Sequence, residues 1–132
     1  MFRTLVWTSA LALAASAASA NLIVNGSFED SGLNPGSGWI PLGAGSTAVT
    51  GWTTLGDGVD YMGTIWPSAH GIRHIDLNNV TTGGISQTFD TFAGAEYTVS
   101  FAMSANFAGA PALKTMTLSA AGQSADFSFD YV

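Results

Sequence analysis

The clearest pattern along this chain has a period of two. Ile85, Gln87 and Phe89 alternate with Ser86 and Thr88. Tyr97, Val99, Phe101 and Met103 fall on one face, with Thr98, Ser100, Ala102 and Ser104 on the other. Lys114, Met116 and Leu118 alternate with Thr115, Thr117 and Ser119, and Phe127, Phe129 and Tyr131 with Ser128 and Asp130. Such alternation predicts half-buried antiparallel strands. Gly83-Gly84, Ala93-Gly94-Ala95, Gly109-Ala110-Pro111 and Ala121-Gly122 separate them, at the spacing of a β-sandwich. Upstream, Leu22 to Val24, Trp52 to Leu55, Val59 to Met62 and Ile72 to Leu77 are shorter strand candidates. Asn25-Gly26-Ser27 reads as a turn, because Asn and Gly tolerate positive φ, and Phe28 re-enters the core. Residues 31–50 read as one long loop rich in Gly, Pro and Ser, and loops of that length in compact domains are often functional. The expected fold is all-β, an antiparallel jelly-roll sandwich. The last strand stops in mid-alternation at Val132, which reads as a piece lacking its final strands, since a raw edge invites association.

Residues 1–20 have the pattern of a secretory signal peptide. Arg3 supplies the positive end, residues 5–15 are largely apolar, and Ala18-Ser19-Ala20 offers a cleavage site before Asn21. The apolar run is shorter than the roughly 20 residues of a membrane-spanning helix. Residues 21–132 are then one domain, exported and without membrane insertion. It holds all 16 glycines and no cysteine. Only Arg73 and Lys114 stand against nine acids. With no basic patch to neutralise phosphates, a nucleic-acid role is disfavoured. Neutral glycans and divalent cations match this composition better.

The run Asn21-Leu-Ile-Val-Asn-Gly-Ser-Phe-Glu29 resembles the opening of galactose-binding-like β-sandwiches. It is followed by Gly51-Trp52, Val59-Asp-Tyr-Met-Gly63, Trp66 and Gly71-Ile-Arg-His-Ile-Asp-Leu77. Then come Gly83-Gly-Ile-Ser-Gln-Thr-Phe89, Gly94-Ala-Glu-Tyr-Thr-Val-Ser-Phe101 and Leu113-Lys-Thr-Met-Thr-Leu118. In this order they resemble the DUF642 family, and within it the bacterial choice-of-anchor C proteins. The resemblance implies a secreted jelly-roll domain with a carbohydrate-related role. It also implies attachment to the cell surface through a C-terminal segment beyond Val132. Plant relatives are cell-wall proteins and carry cysteines that this chain lacks.

The candidate carbohydrate contacts are Trp66, Tyr61, Arg73 and His74, with Trp39 in reserve. Indole and phenol rings stack on the apolar faces of sugars while polar neighbours hold the hydroxyls. For each aromatic the competing reading is core packing, and Trp52 is expected in the core. In the strand from Ile72 to Leu77, Arg73 and Ile75 share one face, and His74 and Asp76 the other. Arg73 either faces sugar or pairs internally with Asp57, Asp60 or Asp76. Asn25 and Glu29 either contribute oxygens to one structural Ca²⁺ or cap a turn by hydrogen bonding. His70 and His74 do not converge as zinc ligands on a strand. There is no G-x-S-x-G elbow and no cysteine nucleophile, and no acid pair stands out as a glycosidase dyad. The expected function is therefore non-catalytic binding of an extracellular polysaccharide or glycan. The alternative is a structural or adhesion domain of the cell envelope with no sugar site.

Overall fold

The structure, a computed structural model, describes residues 21–132; the proposed leader lies outside them. Every regular element among the described residues is a strand. In chain order they are β1 (Trp39–Leu42), β2 (Thr53–Gly56), β3 (Val59–Met62), β4 (His74–Asp76), β5 (Gly83–Ser86), β6 (Leu113–Ala120) and β7 (Gln123–Asp130). All pairings are antiparallel. They form a three-stranded sheet of order β1-β3-β4 and two two-stranded sheets, β2-β5 and β6-β7. The fold is thus all-β and antiparallel, as the alternation predicts. These pairings do not extend to a jelly-roll connectivity.

Register decides which side chains meet. Ile40, Tyr61 and Ile75 lie side by side across β1, β3 and β4, and Leu42 lies beside Val59. Cross-strand partners share a face and successive residues alternate, so these rows point together. They build the core with Val49, and Trp52 and Ile85 close it from the β2-β5 side. Val59 and Tyr61 are fully buried. A buried phenol must satisfy its hydroxyl. The Tyr61 hydroxyl donates to the Phe28 carbonyl at 2.9 Å and accepts from Ser31 Oγ at 3.0 Å. The other rows, Trp39–Met62–His74 and Pro41–Asp60–Asp76, occupy the opposite face of the same sheet.

Four expectations need correction. The stretch 31–50, read as one Gly/Pro/Ser-rich loop, contains β1, which includes Pro41. Proline is tolerated on an edge strand, and β1 is an edge of its sheet. Leu22 to Val24 is not a strand. The Gln87 side chain stands in for a strand neighbour there, accepting from the Val24 N–H at 2.7 Å and donating to the Val24 carbonyl at 2.9 Å. Gly83-Gly84 is part of β5 rather than a separator, because β5 passes so close to the turn after β2 that a Cβ on Gly83 would meet the Gly58 carbonyl. Finally, residues 97–103 alternate but join no ladder, and Tyr97, Val99 and Phe101 stay exposed. Alternation specifies two faces; it does not supply a neighbouring strand.

The β6-β7 hairpin has the expected pairing and turn, and β6 alternates between half-buried and exposed positions, but β7 is exposed along its whole length rather than half-buried. Ala121 and Gly122 turn it with φ of 51° and 76°, both positive as a type I′ hairpin turn requires. Met116 lies opposite Phe127, and Phe101 meets the Phe127 ring edge-on at 4.9 Å.

Gly58, at the entry to β3, is constrained both by its φ and by its neighbours. Its φ is +94°, and a Cβ there would run into the Leu42 carbonyl of the adjacent β1. Gly58→Ala is therefore expected to destabilise the fold by about 1–3 kcal/mol or more, read as a lower urea midpoint. An unchanged midpoint would contradict the close approach of β1 to the β2–β3 turn.

Candidate functional site

The segment between β3 and β4 carries the site. Gly63 and Thr64 continue beside the residues that precede β1, through Gly63 N–H to the Gly38 carbonyl at 2.8 Å and Thr64 N–H to the Gly36 carbonyl at 3.0 Å. Pro67 then redirects the chain. Ser68 Oγ lies within hydrogen-bonding reach of the His70 carbonyl at 2.9 Å and the Arg73 carbonyl at 2.7 Å, closing the loop on itself. The result is an open cleft of about 250 Å³ lined by Thr64, Trp66, Pro67, Ser68, Gly71 and Ile72. Trp66 is half-buried. Its wall across the cleft is fixed from the N-terminal segment. Glu29 Oε1 accepts the backbone N–H groups of Ile72 and Arg73, both at 2.8 Å. Gly71 is in the left-handed region with φ +71°, and a Cβ there would strike the same carboxylate.

The five candidate contacts do not converge on this cleft. Trp66 lines it. Tyr61 does not, since it is fully buried and its hydroxyl is committed; its place in the core layer of Val59 follows from their shared parity. The Arg73 backbone borders the cleft wall, but its guanidinium turns elsewhere. It donates from Nη2 to Asn34 Oδ1 at 3.3 Å and stands 5.9 Å from the Tyr61 ring centroid. Its partners are therefore an amide and an aromatic face, not the carboxylates of Asp57, Asp60 or Asp76. Trp39 and His74 share the outer row of the β1-β3-β4 sheet. Two strand spacings of about 4.8 Å place them roughly 10 Å apart. Trp39 is 54 % exposed.

That outer face has its own electrostatics. Asp60 and Asp76 are cross-strand partners. Burial, and then the Asp76 charge, hold the Asp60 carboxyl above the ordinary aspartate range. Burial pushes His74 below the ordinary histidine value, and Asp76 offsets part of that. Asp60 Oδ1 and His74 Nδ1 are buried without a protein partner. Asp76 is better served, accepting Asn78 N–H at 3.0 Å and Asn106 Nδ2–H at 3.2 Å.

Asn25 and Glu29, weighed above as calcium ligands or as caps, both hydrogen-bond the backbone. Asn25 Oδ1 accepts Asp30 N–H at 3.0 Å, and Nδ2 donates to the carbonyls of Asp30 and Thr50, each at 2.9 Å. A cation at Asn25 Oδ1 or Glu29 Oε1 would face amide hydrogens, which carry the same sign of charge. Among the described residues no three of His, Cys, Asp or Glu come together as a metal-binding group. The bonds of Asn25 and Glu29 match the capping role weighed for the two residues.

Sequence reasoning missed Thr64, Ser68, Gly71 and Ile72 as cleft residues, and missed Asn106 altogether. The turn-forming cluster Pro67-Ser-Ala-His-Gly71, directly behind an unpatterned Trp66, was the available signal.

The fold and these sites belong to a small all-β domain, and the comparisons place it further. The model of the family described as "Protein of unknown function (DUF642)" matches residues 21–132. The chain belongs to the DUF642 family. It is also similar to halomucin of Haloquadratum walsbyi, with 36% identity over 89 residues. That match covers 65% of this chain and 1% of halomucin, so the chain spans a very small part of that relative. No solved structure matches. Among the described residues no helix is long and apolar enough to cross a membrane.

Two measurements probe this geometry. Glu29→Ala is expected to lower stability by about 1–3 kcal/mol, because two backbone N–H groups lose a charged acceptor, while chelator leaves the melting temperature of the unaltered chain unchanged. A clear chelator-induced drop in melting temperature would establish a bound metal instead. The outer face gives two pH effects of opposite sign. His74, lowered in the folded chain, costs stability as pH falls below the ordinary histidine value toward its own. Asp60, raised in the folded chain, costs stability as pH rises through its folded value. Asp60→Asn is thus expected to raise the melting temperature at pH 7 and to leave the His74 loss on acidification unopposed, so that the melting temperature falls more from pH 7 to pH 4.5 than in the unaltered chain. A lower melting temperature at pH 7 would show that the charged form is favoured.

Proposed function

We propose that this chain is an exported, non-catalytic module that binds an extracellular polysaccharide or glycan at the cleft beside Trp66. The observation that carries this reading is an indole on an open cleft of about 250 Å³ with the hydroxyl-bearing residues Thr64 and Ser68. Stacking on an aromatic face, with a few placed polar groups for orientation, is how small polar ligands with apolar faces are held. The volume lies slightly below the usual range of drug-sized sites, which suits one or two sugar rings. No charged side chain lines the cleft, which suits a neutral sugar. Export is supported by the leader pattern of residues 1–20. The reading calls for no metal.

Within the cleft, Trp66 supplies the stacking surface, while Thr64 and Ser68 supply hydroxyls. Gly71 and Ile72 form the opposite wall, with Glu29 behind them. Arg73 contributes through its backbone, and its guanidinium braces Asn34. Trp39 is a separate exposed indole on the sheet edge.

Affinity electrophoresis through gels containing xyloglucan, galactomannan, pectic galactan or hydroxyethylcellulose tests this. At least one is expected to retard the unaltered chain, with and without chelator. Trp66→Ala should abolish most of the retardation and keep cooperative unfolding, while Trp39→Ala should leave it nearly intact. Unretarded migration of the folded chain in every gel would instead favour a structural or adhesion domain of the cell envelope. Retention by Trp66→Ala together with loss by Trp39→Ala would move the site to the outer sheet face.

A further inference from the structure

We infer that Asn106 and Phe107 are positioning residues for the Trp66 platform, held to the sheet by Asp76. Four observations form one chain of contacts. Asp76, the last residue of β4, accepts Asn106 Nδ2–H at 3.2 Å across 30 residues of sequence. The other oxygen of Asp76 accepts Asn78 N–H at 3.0 Å, so this carboxylate is itself fixed by the turn that leaves β4. Asn106 Oδ1 accepts Ala108 N–H at 2.8 Å, which shapes the turn around Phe107. Phe107 then packs on Trp66 with ring centroids 6.0 Å apart and planes tilted by 60°.

Phe107 is not among the residues that line the cleft. It supports the indole from outside, leaving the cleft side free. Core packing does not account for this ring, since 66 % of it is exposed. Tilted aromatic pairs at this spacing attract through their quadrupoles, so Phe107 restricts the Trp66 side chain. Restricting a contact residue before the ligand arrives lowers the ordering cost of binding. The pattern assigns separate tasks to neighbouring residues: Asn106 ties the turn down, and Phe107 sets the indole. The acidic partner of this tie is a carboxylate already beside Asp60, so its negative charge is matched by an amide donor rather than by a cation.

The effect on affinity rests on the glycan reading of the cleft; the brace itself is read without any ligand. The experiment is therefore a ¹⁵N–¹H spectrum of the indole N–H groups, with the Trp66 signal assigned by its loss in Trp66→Phe. Phe107→Ala and Asn106→Asp, which sets a like charge against Asp76, are expected to move the Trp66 signal. The Trp39 and Trp52 signals should stay in place, and the melting temperature should change little. Phe107→Tyr keeps the ring and should restore the Trp66 signal to near its original position. An unmoved Trp66 signal in both Phe107→Ala and Asn106→Asp would overturn the brace, as would equal movement of all three indoles. In the polysaccharide gel that retards the unaltered chain most, the two disruptive variants should bind about two- to tenfold more weakly. If the Trp66 signal moves yet no gel retards any form, the glycan reading fails and the brace stands. If retardation is unaffected while the signal moves, the proposed contribution to affinity is overturned.

Discussion

The arrangement depends on one carboxylate. Glu29 reaches from the N-terminal segment to accept two successive backbone N–H groups, those of Ile72 and Arg73. Charged acceptors make stronger hydrogen bonds than neutral ones, and these two fix the strand entry that leads into β4. From that entry follow the cleft wall at Gly71 and Ile72, the core row that ends in Ile75, and the outer row that ends in His74. Gly71 has no Cβ because the carboxylate lies where one would be. The same segment is secured by Asn25, whose amide joins Asp30 to Thr50, and by Gln87, whose amide joins Val24 to Gly51. Side chains thus secure the segment before β1, where no ladder does so.

This division explains which parts of the structure were legible in the sequence. β3 and the β6-β7 hairpin follow directly from alternation and turn chemistry, because their partners lie in ladders. The buried layer of Val59 and Tyr61 was legible from parity. The opposed faces of Arg73 with Ile75 and of His74 with Asp76 were legible for the same reason. The N-terminal stitching was not. Nothing local distinguishes a Gln87 that substitutes for a strand from one that merely faces solvent, and nothing local separates a Glu29 that accepts amides from one that binds a cation. β1 was hidden by the Gly/Pro/Ser-rich composition around it, and the missing donor of its Pro41 is tolerated because β1 lies at an edge.

The candidate site was legible in one residue. Trp66 lacks any alternating pattern and is followed by a turn cluster, so its place on a loop could be read. Its neighbours could not, because Gly71 and Ile72 reach the cleft through a hydrogen bond to a residue far away in sequence. Tyr61 was drawn into the sugar-binding set by its chemistry, whereas its position in the core row decided otherwise. Trp66 and the outer acidic row are separate features, linked through the turn that carries Asn106 and Phe107, while Trp39 shares the sheet face of the acidic row. The DUF642 match spans the whole of the described all-β domain, and the cleft gives a place on that fold where the proposed glycan role can be tested.

The most direct test is a ¹⁵N–¹H titration of the chain with short oligosaccharides released from the polysaccharide that retards it most. The account predicts progressive shifts of the Trp66 indole and of the Thr64, Ser68, Gly71 and Ile72 amides, with the β6-β7 amides unmoved. Shifts confined to Trp39 and the outer sheet face, or no shifts at saturating ligand, would contradict it.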